Sequence, residues 1–208
     1  MADGDHKIAN ETALRARYRD VSTLAKRKVM PRLDRHSRAF IGISPFLCIS
    51  TAAADGKADV SPRGDPPGFV QVLDDETLLI PDRSGNNRLD TFSNILANPH
   101  VGLIFFVPGM EETLRIDGTA EIVAEHPALA NCAVNGRVPQ TGILVHIVHA
   151  HLHCAKALKR AKLWDAETQI DRKSFPTLGK MITDQVAGLE MSAEEADERI
   201  DKGYNKLY

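Results

Sequence analysis

A chain of 208 residues, 43% of them hydrophobic and 26% charged, holds enough apolar material for one generous globular domain and too much for a disordered one. Its formal net charge of −2 lacks the basic excess that marks nucleic-acid binding. The three cysteines, Cys48, Cys132 and Cys154, form no CxxC pair and no even disulfide set, and no apolar run nears the roughly 20 residues of a membrane span.

The opening "MADGDHKIANE" has no basic-then-apolar leader pattern, so a cytoplasmic protein with reduced thiols, bound neither to membrane nor to nucleic acid, is expected. Leu14, Tyr18, Val21 and Leu24 fall at helical spacing and predict a helix near 10–28; a second, over 32–42, is opened by Asp34 or by Pro31 just before it. From Phe46 the texture changes. "FLCIST", the Asp-Gly turn in "AADGK" and "ADVSP" predict a hairpin, in which Cys48 reads as a small core residue. "RGDPPGF" is a loop, because neither proline can continue a strand ladder. "FVQVLD" and "TLLIPD" are two further strands.

A helix over Asn87–Ala97 follows, with Leu89, Phe92, Ile95 and Leu96 on one face and Asn-Pro at its end. "HVGLIFFV", "TLRIDGTAEIV" and "TGILVHIVHAHLHC" are strands, with a helix expected from His126-Pro127 between the last two. "AKALKRAKLW" reads as helix, with Trp164 packing against the sheet. Residues 177–188 and 192–202 read as helices too, the latter opened by the capping box "SAEE". Six or seven strands in hairpin-length steps around one central helix predict a mainly β antiparallel barrel. The whole chain, 1–208, reads as a single domain: a barrel core of about 40–160 with helical extensions over 1–40 and 160–208.

"DRSGNNRLDT" (82–91) leaves a buried strand and enters a helix with two Arg, two Asn and a Gly. Free N–H groups and the dipole at a helix start favour an anion, Gly85 allows a tight turn, and Arg83 and Arg88 add forked donors that match phosphate. The alternative is an ordinary asparagine cap with solvated arginines. Neither GK[ST] nor GxGxxG is present, which disfavours a nucleotide held by a standard phosphate loop. Arg63, in "DVSPRGD", follows a strand end and either reaches the same pocket or pairs with Asp65 at the surface.

Three segments, "ADVSPRGDPPGFV" (58–70), "TLLIPDRSGNNRLDTFSNILANPHVGLIFFVPG" (77–109) and "ETLRIDGTAEI" (112–122), occur in the order and spacing of a known family. Over about residues 40–160 the chain resembles the pyridoxamine 5'-phosphate oxidase-like FMN-binding split-barrel proteins. That resemblance implies a six-stranded split β-barrel, a homodimer, and FMN in a groove between subunits. It puts Arg83, Asn87 and Arg88 on the phosphate, Ser61, Pro62 and Arg63 along the ring or ribityl chain, and backbone groups of Pro81 and Asp82 beside it. Where the oxidase proper has Ser and then Arg-Lys, this chain has Asn-Asn-Arg-Leu, which keeps FMN binding but argues against vitamin B6 chemistry. Thr113 stands where the oxidase uses a glutamine near the flavin. "HCAKALKRAKLW" resembles a flavoprotein subgroup in which Lys156 would reach the cofactor of the other subunit.

On a period of two, His149, His151 and His153 share a strand face while His146 points the other way, a pattern open to metal binding or to a subunit contact. No nucleophile triad can be placed. The expected activity is FMN-dependent two-electron transfer with a small organic substrate, NADH or NADPH being candidate donors. A flavin carrier or sensor without turnover, a metal-dependent enzyme on the histidine strand, and a deazaflavin in place of FMN are the alternatives.

Overall fold

The computed structural model describes residues 6–208; the first five, part of the stretch read for a leader, lie outside the described residues. Two five-residue helices, α1 (Glu11–Arg15) and α2 (Thr23–Arg27), replace the single helix expected over 10–28. Leu14, Tyr18, Val21 and Leu24 are all exposed, so no burial offsets the cost of nucleating a longer helix. Helix α3 (Arg35–Ile43) is different. The Asp34 carboxylate accepts the Ser37 N–H at 2.7 Å, which holds its pKa below the usual range, and the helix buries Phe40 and Ile41.

The strands are β1 (Phe46–Ala52), β2 (Ala58–Gly64), β3 (Gln71–Val72) and β4 (Thr77–Pro81), then helix α4 (Asp90–Ala97), then β5 (His100–Phe106), β6 (Thr113–Ala124) and β7 (Thr141–His153). They form one antiparallel sheet in the order β2-β1-β5-β6-β7-β4-β3. The expected six-stranded barrel is therefore corrected to a seven-stranded ladder that is not closed, with β2 and β3 as its edges. Pro66 and Pro67 remove ladder donors between those two edges, and "FVQVLD" shrinks to the two residues of β3 while Phe69 and Val70 stay buried beside it. The β1–β2 turn is made at Gly56, whose φ of 84° suits glycine. Leu47, Ile49, Leu78, Ile80, Phe105, Leu114, Ile116, Ile143 and Val145 fill the interior, and α4 covers β1, β2 and β6.

The β6–β7 pairing slips between Asp117 and Gly118: Gly118 opposes Ile147 and Asp117 opposes His149, leaving Val148 as the extra residue. The bulge switches strand parity. Val145 and Ile147 face the core before it and Ala150 after it, so His146 joins His149, His151 and His153 on the outward face. Period two alone put His146 on the other side.

The helix expected from His126 is a 3-10 segment, Pro127–Cys132. Beyond β7, α5 (Lys156–Ala161) ends at left-handed Lys162, and the Trp164 indole donates to the Met110 carbonyl at 2.7 Å, which pins this segment to the β5–β6 turn. Helices α6 (Leu178–Gln185) and α7 (Ala193–Tyr204) pack on each other, and α7 carries the Ser192/Glu195 capping box that "SAEE" announces. No described helix is long and apolar enough to cross a membrane.

Candidate functional site

Strand β2 is an edge strand with two unlike faces. Its register with β1 sets Asp59 opposite Thr51, Ser61 opposite Ile49 and Arg63 opposite Leu47. Thr51, Ile49 and Leu47 all point inward, so three polar β2 side chains project to the interior side of the sheet and are half-buried. Pro62 takes the opposite, exposed face, so the structure separates it from Ser61 and Arg63. Cys48 is likewise on the outer face, half-buried beside Ile104, and not in the core.

The segment after β4 meets this polar face. Pro81 is buried and paired with Gly142, which fixes where the chain leaves the sheet, and the Asp82 N–H donates to the Thr141 carbonyl at 3.0 Å. Asn87 does not cap the helix. Asn87 and Leu89 both sit at φ 58°, and α4 begins only at Asp90, with Leu89 at the cap position and no side-chain cap. Asparagine tolerates that region, whereas for leucine it costs about 1–2 kcal/mol. The N–H groups of Ser84, Gly85, Asn86 and Asn87 donate to no group among the described residues, and Arg88 N–H bonds the Asn86 side chain at 3.1 Å. An exposed loop with four uncommitted donors results.

The three arginines of this corner have different fates. Arg83 donates from Nε to Asp65 Oδ2 at 2.5 Å and from Nη1 to the Cys132 carbonyl at 2.9 Å. Asp65 therefore pairs with Arg83, not with Arg63, and it is buried. Arg88 is exposed and held by Asp90 at 2.7 Å, which raises its pKa. Among the described residues Arg63 bonds only the Pro62 carbonyl, at 2.8 Å, and burial lowers its pKa against the opposing pull of Asp82 and Asp59. Burial raises the Asp82 pKa, with the Arg83 backbone N–H and the charges of Arg63 and Arg83 acting the other way. Asp59 Oδ2 is buried with no hydrogen-bond partner among the described residues. Arg63 is thus a desolvated cation lacking a committed acceptor, in a corner with uncommitted donors. The donor set fits an anion such as a phosphomonoester, provided Asp82 moves toward its neutral form.

Asp59 and Tyr208 are members of this corner that sequence reasoning missed, and Asp65, expected at most as a surface partner of Arg63, is buried against Arg83 instead. The Tyr208 hydroxyl donates to Asp65 Oδ1, and its ring lies 5.8 Å from the Arg83 guanidinium carbon. "GDPPG" signalled a loop around Asp65, but no local pattern announces a contact between residues 143 positions apart.

Thr113 and Lys156 are elsewhere. Thr113 is buried at the start of β6, opposite His153, on the other face of the sheet from Arg63 and three ladder steps from β2, roughly 14 Å at about 4.8 Å per step. Lys156 opens α5, three residues beyond His153, and is exposed. On the same outer face, His151 is crowded by Lys28, Arg115 and His153; burial, then those charges, lower its pKa, and its buried Nδ1 has no partner. Among the described residues no three His, Cys, Asp or Glu side chains are grouped to hold a metal.

Residues 33–154 match the profile of the family described as pyridoxamine 5'-phosphate oxidase. No curated protein matches the chain. Similar solved structures include HupZ from Group A Streptococcus, at 19% identity over 55% of this chain and 89% of that one, with a TM-score of 0.45. A putative pyridoxamine 5'-phosphate oxidase from Lactobacillus delbrueckii is 19% identical over 58% and 94%, with a TM-score of 0.45. An FMN-binding protein from Syntrophomonas wolfei is 10% identical over 56% and 88%, with a TM-score of 0.39.

Proposed function

Because the chain belongs to the pyridoxamine 5'-phosphate oxidase-like, FMN-binding split-barrel family, we propose that it is an FMN-dependent oxidoreductase acting on a small organic substrate. The observation that carries this reading is Arg63, half-buried and without a committed acceptor, on the same inner face as Ser61 and within the electrostatic reach of Asp82, where the loop after β4 begins. FMN supplies the two-electron chemistry when bound. Arg63, the loop N–H groups and Arg88 hold its phosphate, Arg88 by releasing Asp90. Arg83 is anchored to Asp65 and Cys132 and offers the remaining edge of its guanidinium. Ser61 lies along the ribityl chain, and Asp82 with Pro81 sets the approach of the loop.

Thr113 lies on the opposite face of the sheet from Arg63, and Lys156 opens α5 after the end of β7, so neither serves a molecule held at Arg63 of the same chain. A homodimer resolves this, with Thr113 and Lys156 of one subunit completing the groove of the other. One domain serves both roles, its barrel core binding FMN and its helical extensions flanking it, in a cytoplasmic setting.

Equilibrium dialysis against FMN, with sedimentation to read the oligomer, tests this reading. Stoichiometric FMN on a dimer is expected; a chain that retains no FMN defeats it. A reduced flavin spectrum on adding NADH or NADPH separates the oxidoreductase from a flavin carrier or sensor, and binding of a deazaflavin in place of FMN would reassign the cofactor.

A further inference from the structure

Tyr208 returns to the barrel across more than forty residues of helical tail. Its hydroxyl donates to Asp65 Oδ1, while Arg83 Nε donates to the other oxygen, Oδ2. Both lone-pair sides of a carboxylate whose side chain is 2% exposed are thereby satisfied. The ring covers the Arg83 guanidinium, and Arg137 Nη1 donates to the Tyr208 carbonyl at 3.0 Å, which fixes the residue from its backbone side. Nothing else among the described residues reaches Asp65 Oδ1 from outside the barrel. The Arg83–Asp65–Tyr208 chain therefore joins three separate parts of the sequence at the corner where the sheet stays open.

We propose that Tyr208 is a positioning residue for the anion corner. By donating to Asp65 it draws negative charge away from Arg83, and by holding its ring 5.8 Å from the guanidinium carbon it keeps the free Nη2 edge aimed at a bound phosphate. Without the hydroxyl, Asp65 turns its full charge on Arg83 and competes with the phosphate. This inference rests on the FMN reading above, and predicts that Tyr208 governs recognition of the phosphate and not of the flavin ring.

The test compares FMN with riboflavin, which lacks the phosphate, by fluorescence titration of the full chain and its Tyr208→Phe and Tyr208→Ala variants. Wild type is expected to prefer FMN. Tyr208→Phe should reduce that preference several-fold and Tyr208→Ala at least tenfold, with the riboflavin constant unchanged in both. Thermal unfolding without ligand checks that the variants are folded at the temperature of titration, and the protection given by inorganic phosphate should fall in the same order. An unchanged FMN-to-riboflavin ratio overturns the proposal, as does equal loss of both ligands. If wild type binds neither flavin, the FMN reading has failed instead.

Discussion

Arg83 and Asp65 form an ion pair at 2.5 Å with side chains 21% and 2% exposed, and the pair spans the gap between the loop after β2 and the loop after β4. Because the ladder has no backbone hydrogen bonds across that gap, the pair and the Cys132 carbonyl bond stand in for them. Breaking a buried pair leaves a desolvated charge, so Asp65→Ala should cost about 3–5 kcal/mol in urea unfolding. Adding Arg83→Met should recover part of the loss. A double variant no more stable than Asp65→Ala would show that the pair is not the unit at risk.

Arg63 and Arg88 differ in what they give up to bind an anion. Arg88 must leave Asp90 in an exposed pair, whereas Arg63 is desolvated and has only a backbone carbonyl to satisfy it. Charged hydrogen bonds contribute about 1.5–3 kcal/mol, so Arg63→Met should weaken FMN binding by about tenfold or more. The same change should leave the stability of the ligand-free protein equal or higher, since it removes a buried charge. Arg88→Ala should cost less affinity. Fluorescence titration of both variants settles the order, and a larger loss in Arg88→Ala would move the phosphate outward along the loop.

Asp82 makes this corner sensitive to pH. Burial raises its folded pKa above the ordinary carboxylate value. Between the unfolded and folded values the native state holds more protons than the unfolded chain, so stability from this group falls as pH rises through that window, from about pH 4 upward. FMN binding should share the direction, because a neutral Asp82 removes negative charge beside Arg63. Asp82→Asn should flatten both profiles, measured by urea unfolding without ligand and by FMN titration. Profiles identical to wild type would assign the dependence elsewhere.

How much of this was legible in the sequence follows from the range of the interactions. The Asp-Gly hairpin, the Asp34 cap and the Ser192/Glu195 box rest on residues a few positions apart, and each is found where its motif stands. The helix over 10–28 failed because spacing predicts a face but not whether anything covers it, and its apolar residues are exposed. The sequence allows an asparagine cap at Asn86 or Asn87, but left-handed Asn87 and Leu89 delay the helix to Asp90, a conformation that no residue type here demands. At the candidate site, charge near strand ends singles out Arg63, Arg83 and Arg88, while Asp82 enters only through the family resemblance and for its backbone. Their partners are not legible that way, since Asp65 with Arg83 and Tyr208 with Asp65 depend on how an open sheet curls.

The bulge at Val148 depends on a close backbone approach. A Cβ placed on Gly118 would lie 2.2 Å from the His146 carbonyl oxygen and 3.1 Å from its carbon, both backbone atoms that no rotamer change can move. Gly118→Ala should therefore cost about 1–3 kcal/mol or more by overpacking. Denaturation with urea measures the loss. Gly109→Ala, where a Cβ meets nothing within 4 Å but φ is 86°, provides the comparison for backbone strain alone. A smaller loss at Gly118 than at Gly109 would mean that the slipped register yields readily.

With parity reset by that bulge, His146, His149, His151 and His153 share the outward face with Arg115 and Asp117. Of these, His151 is held below the usual histidine value, first by burial and then by the charges of Lys28, Arg115 and His153, with Asp117 opposing. Its folded pKa being depressed, the native state binds fewer protons than the unfolded chain below about pH 6.5. The stability it contributes is then complete above that pH and is lost as pH falls through the folded value. His151→Leu cannot take up a proton in either state, so its stability should be less pH-dependent over the same interval, as read by urea midpoints on either side of about pH 6.5. Equal slopes in the two proteins would place the acid sensitivity outside His151.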